Sequence, residues 1–167
     1  MNGKILLTVL TLAVVLLATP YIGMVYASPS TPVSGTIVIV GFVPLGMSTV
    51  GKSDNVIVDG LMSVTWAGDI AGSPTYEASM MLHEFVPPMG GPDTTMNIHE
   101  RIFFPTVTVQ GKSGSLTMEV NFGGSKEEFH WTILSGTGEL ANLNGHGTYQ
   151  LVEAPLYAYE GLVHFDP

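Results

Sequence analysis

After Ala27 the chain is built from short runs of Val, Ile, Thr, Phe and Tyr separated by glycine and proline. No stretch there repeats apolar residues at helical spacing between caps, so the pattern predicts strands joined by turns. Runs at Gly35–Val43, Asn55–Val58, Leu61–Ile70, Thr75–Val86 and Thr94–Phe104 read as strands. Further runs follow at Thr106–Gln110, Ser115–Phe122, Glu128–Leu134, Gly145–Val152 and Tyr157–Phe165. Turn residues fall between them: Ala71-Gly72-Ser73-Pro74, the loop Pro87–Pro92, the hairpin turn Gly111-Lys112-Ser113-Gly114 and the connection Ser135–Asn144. The expectation is one all-β domain of about eight or nine strands, a sandwich or a barrel.

Alternation assigns faces. In Thr75–Val86 the even positions Tyr76, Ala78, Met80 and Leu82 are apolar, and in Thr94–Phe104 so are Met96, Ile98, Ile102 and Phe104. Side chains two apart share a face of a strand, so the even residues of both runs point inward. Glu84 and Glu100 fall on those same inward positions. A carboxylate among Met96, Ile98 and Ile102 loses hydration, and its pKa rises unless it is paired. That marks Glu100 as the candidate acid or base and Glu84 as a candidate contact. Met80 and Met96 on the same faces, with Trp131, complete the expected ligand-binding set.

A hairpin closing symmetrically around Pro87–Pro92 sets Val86 opposite Thr94, Glu84 opposite Met96 and Glu100 opposite Met80. The two carboxylates then stand about 13 Å apart at ~3.3 Å per residue. That is wider than the about 5–9.5 Å of a glycosidase pair, which argues against a carboxylate dyad. In this register His83 faces Asn97 and His99 faces Met81, diagonal neighbours on the outer face with no third ligand, so no metal site is expected. No cofactor is expected either: Gly136-x-Gly138 lacks the lysine and helix of a phosphate loop, and no G-x-S-x-G nucleophile elbow occurs. Trp66, Phe129, Trp131, Tyr149, Tyr157 and Tyr159 read as core rather than as a ligand cage.

The first 27 residues have a different pattern. One positive charge at Lys4 precedes the apolar run Ile5–Ala18, and Val25-Tyr26-Ala27 offers a small-residue cleavage site before Ser28. This is the order of a secretory signal, with a helical segment over residues 1–27 cleaved after Ala27. The alternative is an uncleaved anchor over Ile5–Tyr26, long enough for a bilayer of roughly 30 Å. The expected location is secreted or at the cell surface, with membrane contact only through that anchor. Residues 28–34 read as a flexible leader and residues 35–167 as the domain.

Charge and composition narrow the partners. The chain has 5 basic and 14 acidic residues, a formal charge of −9. All the acidic residues lie beyond Ala27, against Lys52, Arg101, Lys112 and Lys126. Such a surface repels phosphate backbones, which excludes nucleic acid as a partner. With no cysteine, disulfides contribute nothing, and stability comes from an ordinary core.

An ordered series of motifs carries a family resemblance. It runs Trp66-x-Gly68-Asp69-Ile70-x-Gly72, Glu77, Glu100-Arg101, Gly111-Lys112-Ser113-Gly114-Ser115-Leu116, Trp131, Ser135-Gly136-Thr137-Gly138-Glu139-Leu140 and Leu143-x-Gly145-x-Gly147. The series resembles the DUF3224 family of uncharacterised proteins, related in fold to allene oxide cyclase. It spans roughly Gly35 to Phe165 and is most specific over Gly111–Gly147. The resemblance implies a single antiparallel eight-stranded β-barrel with a small interior cavity. Three functions are consistent with that expectation: binding of a small apolar or amphipathic ligand or a structural envelope role, an isomerase or cyclase acting inside the barrel through Glu100, or surface adhesion and assembly. The first, which is not enzymatic, is favoured because no catalytic set accompanies Glu100.

Overall fold

The computed structural model describes residues 28–83, 95–123 and 128–167. The expected signal segment and the loop Pro87–Pro92 lie outside these residues, as does Glu84. The strands are β1 (Thr31–Thr49), β2 (Val56–Gly68), β3 (Ile70–Ala71), β4 (Thr75–His83) and β5 (Thr95–Val109), then β6 (Lys112–Phe122), β7 (Glu128–Gly136), β8 (Leu143–Glu153) and β9 (Leu156–Phe165). One short 3-10 turn, Gly138–Leu140, sits between β7 and β8.

All pairings are antiparallel, in the order β3-β5-β4-β2-β1-β9-β8-β7-β6, and β6 also pairs with β5. β5 therefore has three partners, and each other strand except the two-residue β3 has two. The buried side of every strand follows the period of two: Val33 and Ile37 on β1, Val64 and Trp66 on β2, Tyr76 and Ala78 on β4, Leu116, Met118 and Val120 on β6. In β5 the buried positions change from even (Ile98, Ile102, Phe104) to odd (Val107, Val109) across an irregularity between Phe104 and Val107. Pro105 lies there, and the extra residue of a bulge re-aims the strand without ending it. Two expected runs are thus one strand.

Other boundaries also differ from expectation. Residues 31–34 are not a loose leader: Thr31–Ser34 pair with Glu160–Val163 of β9, and Val33 is buried. The runs Asn55–Val58 and Leu61–Ile70 join into β2 over Val56–Gly68, because Gly60 continues the ladder opposite Pro44, and Ile70 begins β3. The β5–β6 hairpin turns through Gln110 and Gly111 alone, both at positive φ (49° and 80°), with Val109 opposite Lys112. Two residues at positive φ match the right-handed twist of the flanking strands, so Lys112–Gly114 belong to β6 and not to the turn.

The β4–β5 register differs by two residues from the symmetric hairpin. Met80 pairs with Ile98 and Leu82 with Met96. Hence Glu100 does not face Met80, and His83 faces Thr95 instead of Asn97. A slip of two leaves every side chain on its own face, so the hydrophobic pattern does not discriminate between the two registers.

Candidate functional site

The two ends of the core are filled differently. At one end the segment after β7 folds over the sheet: Leu140 of the 3-10 turn is fully buried, the Thr137 backbone N–H donates to Ser115 O, and the Ser113 N–H donates to the Glu139 carboxylate at 2.9 Å. Trp131, 1% exposed, packs over Gly147 and Gly161, where any Cβ would collide with its ring. Its Nε1–H donates to Thr148 O at 3.3 Å. Beside it, Tyr159 donates to Ile70 O at 3.1 Å and accepts from Ile70 N–H at 2.7 Å.

Toward the other end the core opens into a cavity of about 170 Å³. Ile37 and Ile39 of β1, Met62 and Val64 of β2, and Ile98 and Ile102 of β5 supply its aliphatic wall. Met80 and Met96 also line it, and Met96, 38% exposed, stands toward solvent. Five aromatic residues complete the wall: Trp66, Tyr76, Phe129, Tyr149 and Tyr157. Phe129 and Tyr149 stack at 4.5 Å between centroids, Tyr157 meets both edge-on, and Trp66 is edge-on to Tyr149 at 6.1 Å. Stacked and edge-on pairs of this kind stabilise the wall beyond the area they bury. Met96, Phe129 and Tyr157 also border a shallow outer depression with Leu151 and Gln150, which marks this end as the mouth.

Among the described residues, Glu100 is the one acidic or basic side chain in the cavity wall. It is only 5% exposed, and its Oε1 is buried without a hydrogen-bond partner. Its strand places it there: β5 alternates, so Ile98, Glu100 and Ile102 share the inward face, and Glu100 pairs with Val120 of β6. Burial raises the carboxyl pKa above its ordinary value, and a hydrogen bond from the Tyr76 hydroxyl opposes that rise in part. Tyr76 is itself pushed up, first by burial and then by the Glu100 charge, and so is Tyr149. Tyr157 is raised by burial. Among the described residues of the wall, Trp66 Nε1–H is a second buried polar group without a partner. The resulting site is apolar and aromatic, with a poorly solvated acid and three tyrosine hydroxyls.

The expected site residues divide accordingly. Met80, Met96 and Glu100 come together in one cavity. Trp131 does not line it: the glycines opposite, Gly147 on β8 and Gly161 on β9, let its ring lie in the packed end. Glu84 lies outside the described residues. The aromatics read as core are core: Trp66, Trp131 and Tyr159 are buried in it and Phe129, Tyr149 and Tyr157 pack against it, while Trp66, Phe129, Tyr149 and Tyr157 also line the cavity. Tyr76, the partner of Glu100, was visible as an inward even position on β4. Its pairing with Glu100 depends on how β4 and β5 lie beyond their paired residues. The outer-face histidines have neutral partners: Asn97 Nδ2–H donates to His83 Nε2 at 2.9 Å, and His99 Nδ1 contacts Asn121 Oδ1 at 2.6 Å. Asn121 donates its amide to Glu119, so its Oδ1 accepts from His99.

An antiparallel all-β protein with an apolar cavity and one buried carboxyl group is the class these features define. The chain belongs to the DUF3224 family, described as proteins of unknown function, whose model matches residues 47–160. That span includes Tyr76, Glu100, Phe129, Tyr149 and Tyr157. A solved structure of a DUF3224 protein of unknown function from Shewanella oneidensis MR-1 is similar in fold. Its TM-score is 0.62 at 17% identity, covering 83% of this chain and 99% of that one. No curated protein matches the sequence.

Proposed function

We propose that the protein is an exported β-barrel that binds a small apolar or amphipathic molecule in its interior, with Glu100 as the polar anchor. The barrel wall is the ring of pairings from β5 through β4, β2, β1, β9, β8 and β7 to β6 and back to β5. The observation that carries the reading is the cavity of about 170 Å³ beside a buried carboxyl oxygen that has no partner. Concave, apolar sites with a few convergent polar groups are the usual form of small-molecule sites. A cavity near 150 Å³ is large enough for a single benzene ring, which sets the scale of the occupant. Export rests on the apolar run Ile5–Ala18 and the site ending at Ala27.

A second reading, an isomerase or cyclase related to allene oxide cyclase, draws support from the raised pKa of Glu100 beside Tyr76, a pair suited to proton transfer. Assembly through a surface draws support from Val40, Val43, Leu45 and Met47, exposed along the second half of β1.

Native mass spectrometry of the product expressed from the full sequence, purified gently from its host, tests the binding reading. The expected result is a small molecule retained by the wild type and lost from Glu100→Gln. A bare mass in both, with no uptake of added toluene, overturns it. Sequencing the N-terminus of the product tests export; the expected first residue is Ser28.

A further inference from the structure

We infer that the occupant is a small hydrophobic amine, its protonated nitrogen at the Glu100 carboxylate and its body among the aromatic and branched side chains of the cavity. This deepens the binding reading above and rests on it.

The case is one of charge and donor count. Among the described residues the wall holds one carboxyl group and no lysine, arginine or histidine. An anionic ligand would find no positive partner and would meet a like charge in a poorly solvated place. A ligand with no donor would leave Glu100 Oε1 as it is now, buried and unpaired. An ammonium group supplies both what the carboxylate lacks, a strong donor and an opposite charge, and forms the stronger, charge-assisted kind of hydrogen bond. Burial raises the Glu100 pKa and the Tyr76 hydroxyl opposes that rise only in part, so an ammonium group is the partner that would hold the carboxyl group in its ionised form. The other titratable side chains of the wall, Tyr149 of β8 and Tyr157 of β9, are neutral phenols that bring no competing charge.

The rest of the wall fits the same ligand. The aromatic residues Trp66, Tyr76, Phe129, Tyr149 and Tyr157 surround a small volume, and aromatic faces attract cations, most strongly where water is excluded. The formal charge of −9 raises the local concentration of cations around the molecule as a whole. A volume of about 170 Å³ accommodates one ring and a short chain.

Isothermal titration calorimetry of the full chain at neutral pH and low salt, with 2-phenylethylamine, 2-phenylethanol and 3-phenylpropionate, tests the inference. The expected order is amine tighter than alcohol by about tenfold, the step of one charge-assisted hydrogen bond, with no detectable binding of the carboxylate. In Glu100→Gln the amine loses its advantage and binds no more tightly than the alcohol. An alcohol that binds the wild type as tightly as the amine overturns the amine inference and leaves the binding reading in place. So does an amine unaffected by Glu100→Gln. Failure of all three probes overturns the binding reading itself. The wild-type series decides the matter even where the variant does not fold.

Discussion

Strand β5 passes through two unlike halves of one core. From Phe104 to Val109 its inward side chains sit in a sealed end with Leu116, Leu140 and Trp131, almost none of them reached by solvent. From Met96 to Ile102 the same strand walls a cavity. Both halves obey the same alternation, so the difference lies in what fills the space between strands. At the sealed end, glycines at 114, 136, 145, 147 and 161 stand where an added Cβ would strike neighbouring backbone or the Trp131 ring. Small residues there let large ones in, and a chain segment covers the end. At the open end the strands carry methionines, branched side chains, and a carboxyl group that does not pack like an alkyl chain. Close packing is a matter of complementary shapes, so an apolar interior can still contain a hollow.

The sharpest way to break this contrast is to cut into the sealed end. Trp131→Ala removes a ring that no rearrangement of Gly147 and Gly161 can replace. It should lower the unfolding free energy by about 3–5 kcal/mol in denaturant titrations. A matched methionine pair sharpens it. Met118, fully buried, should cost about 2–5 kcal/mol on substitution by alanine. Met96, 38% exposed at the mouth, should cost under about 1 kcal/mol. Equal losses would mean that the halves are packed alike.

Tyr159→Phe is the next smaller test. It strips both hydrogen bonds from the backbone of Ile70, at an expected loss of about 1–3 kcal/mol. In the wild type, burial pushes the Tyr159 hydroxyl up to about 12, so ultraviolet titration should show it ionising later than an exposed tyrosine.

The pH dependence of Glu100 gives the finest test of the open half. Its folded pKa lies above the ordinary glutamate value of 4.5, so above that pH the unfolded chain gives up its proton first. The folded state then binds more protons than the unfolded one, and stability must fall as pH rises from about 4.5 through the folded pKa. Unfolding curves over that window should show the decline in wild type, and a difference from Glu100→Gln that grows with pH. A difference that stays flat with pH would place Glu100 in an ordinary solvated setting.

Much of this division could be read in the residues, and its limits have physical causes. Glu100 was legible as a buried acid because a period of two assigns faces without knowing partners. The β4–β5 register was not, because a slip of two residues preserves those faces. The alternation on β7, β8 and β9 does not separate Trp131 from Phe129 and Tyr149, which share a buried face. What separates them is the pair Gly147 and Gly161 across the ladder, a relation that appears only once β8 and β9 are paired. Residues 28–34 read as a leader because serine and proline dominate them, yet Thr31–Ser34 pair with β9 and Val33 is buried.

The hollow half can be probed directly through its methyl groups. With methionine methyls labelled with carbon-13, toluene is added while their NMR signals are followed. Met62 and Met80 in the cavity wall and Met96 at its mouth should shift in a saturable way, and Met118 should stay in place. Shifts at Met118 of equal size, or none at Met62 and Met80, would contradict the account.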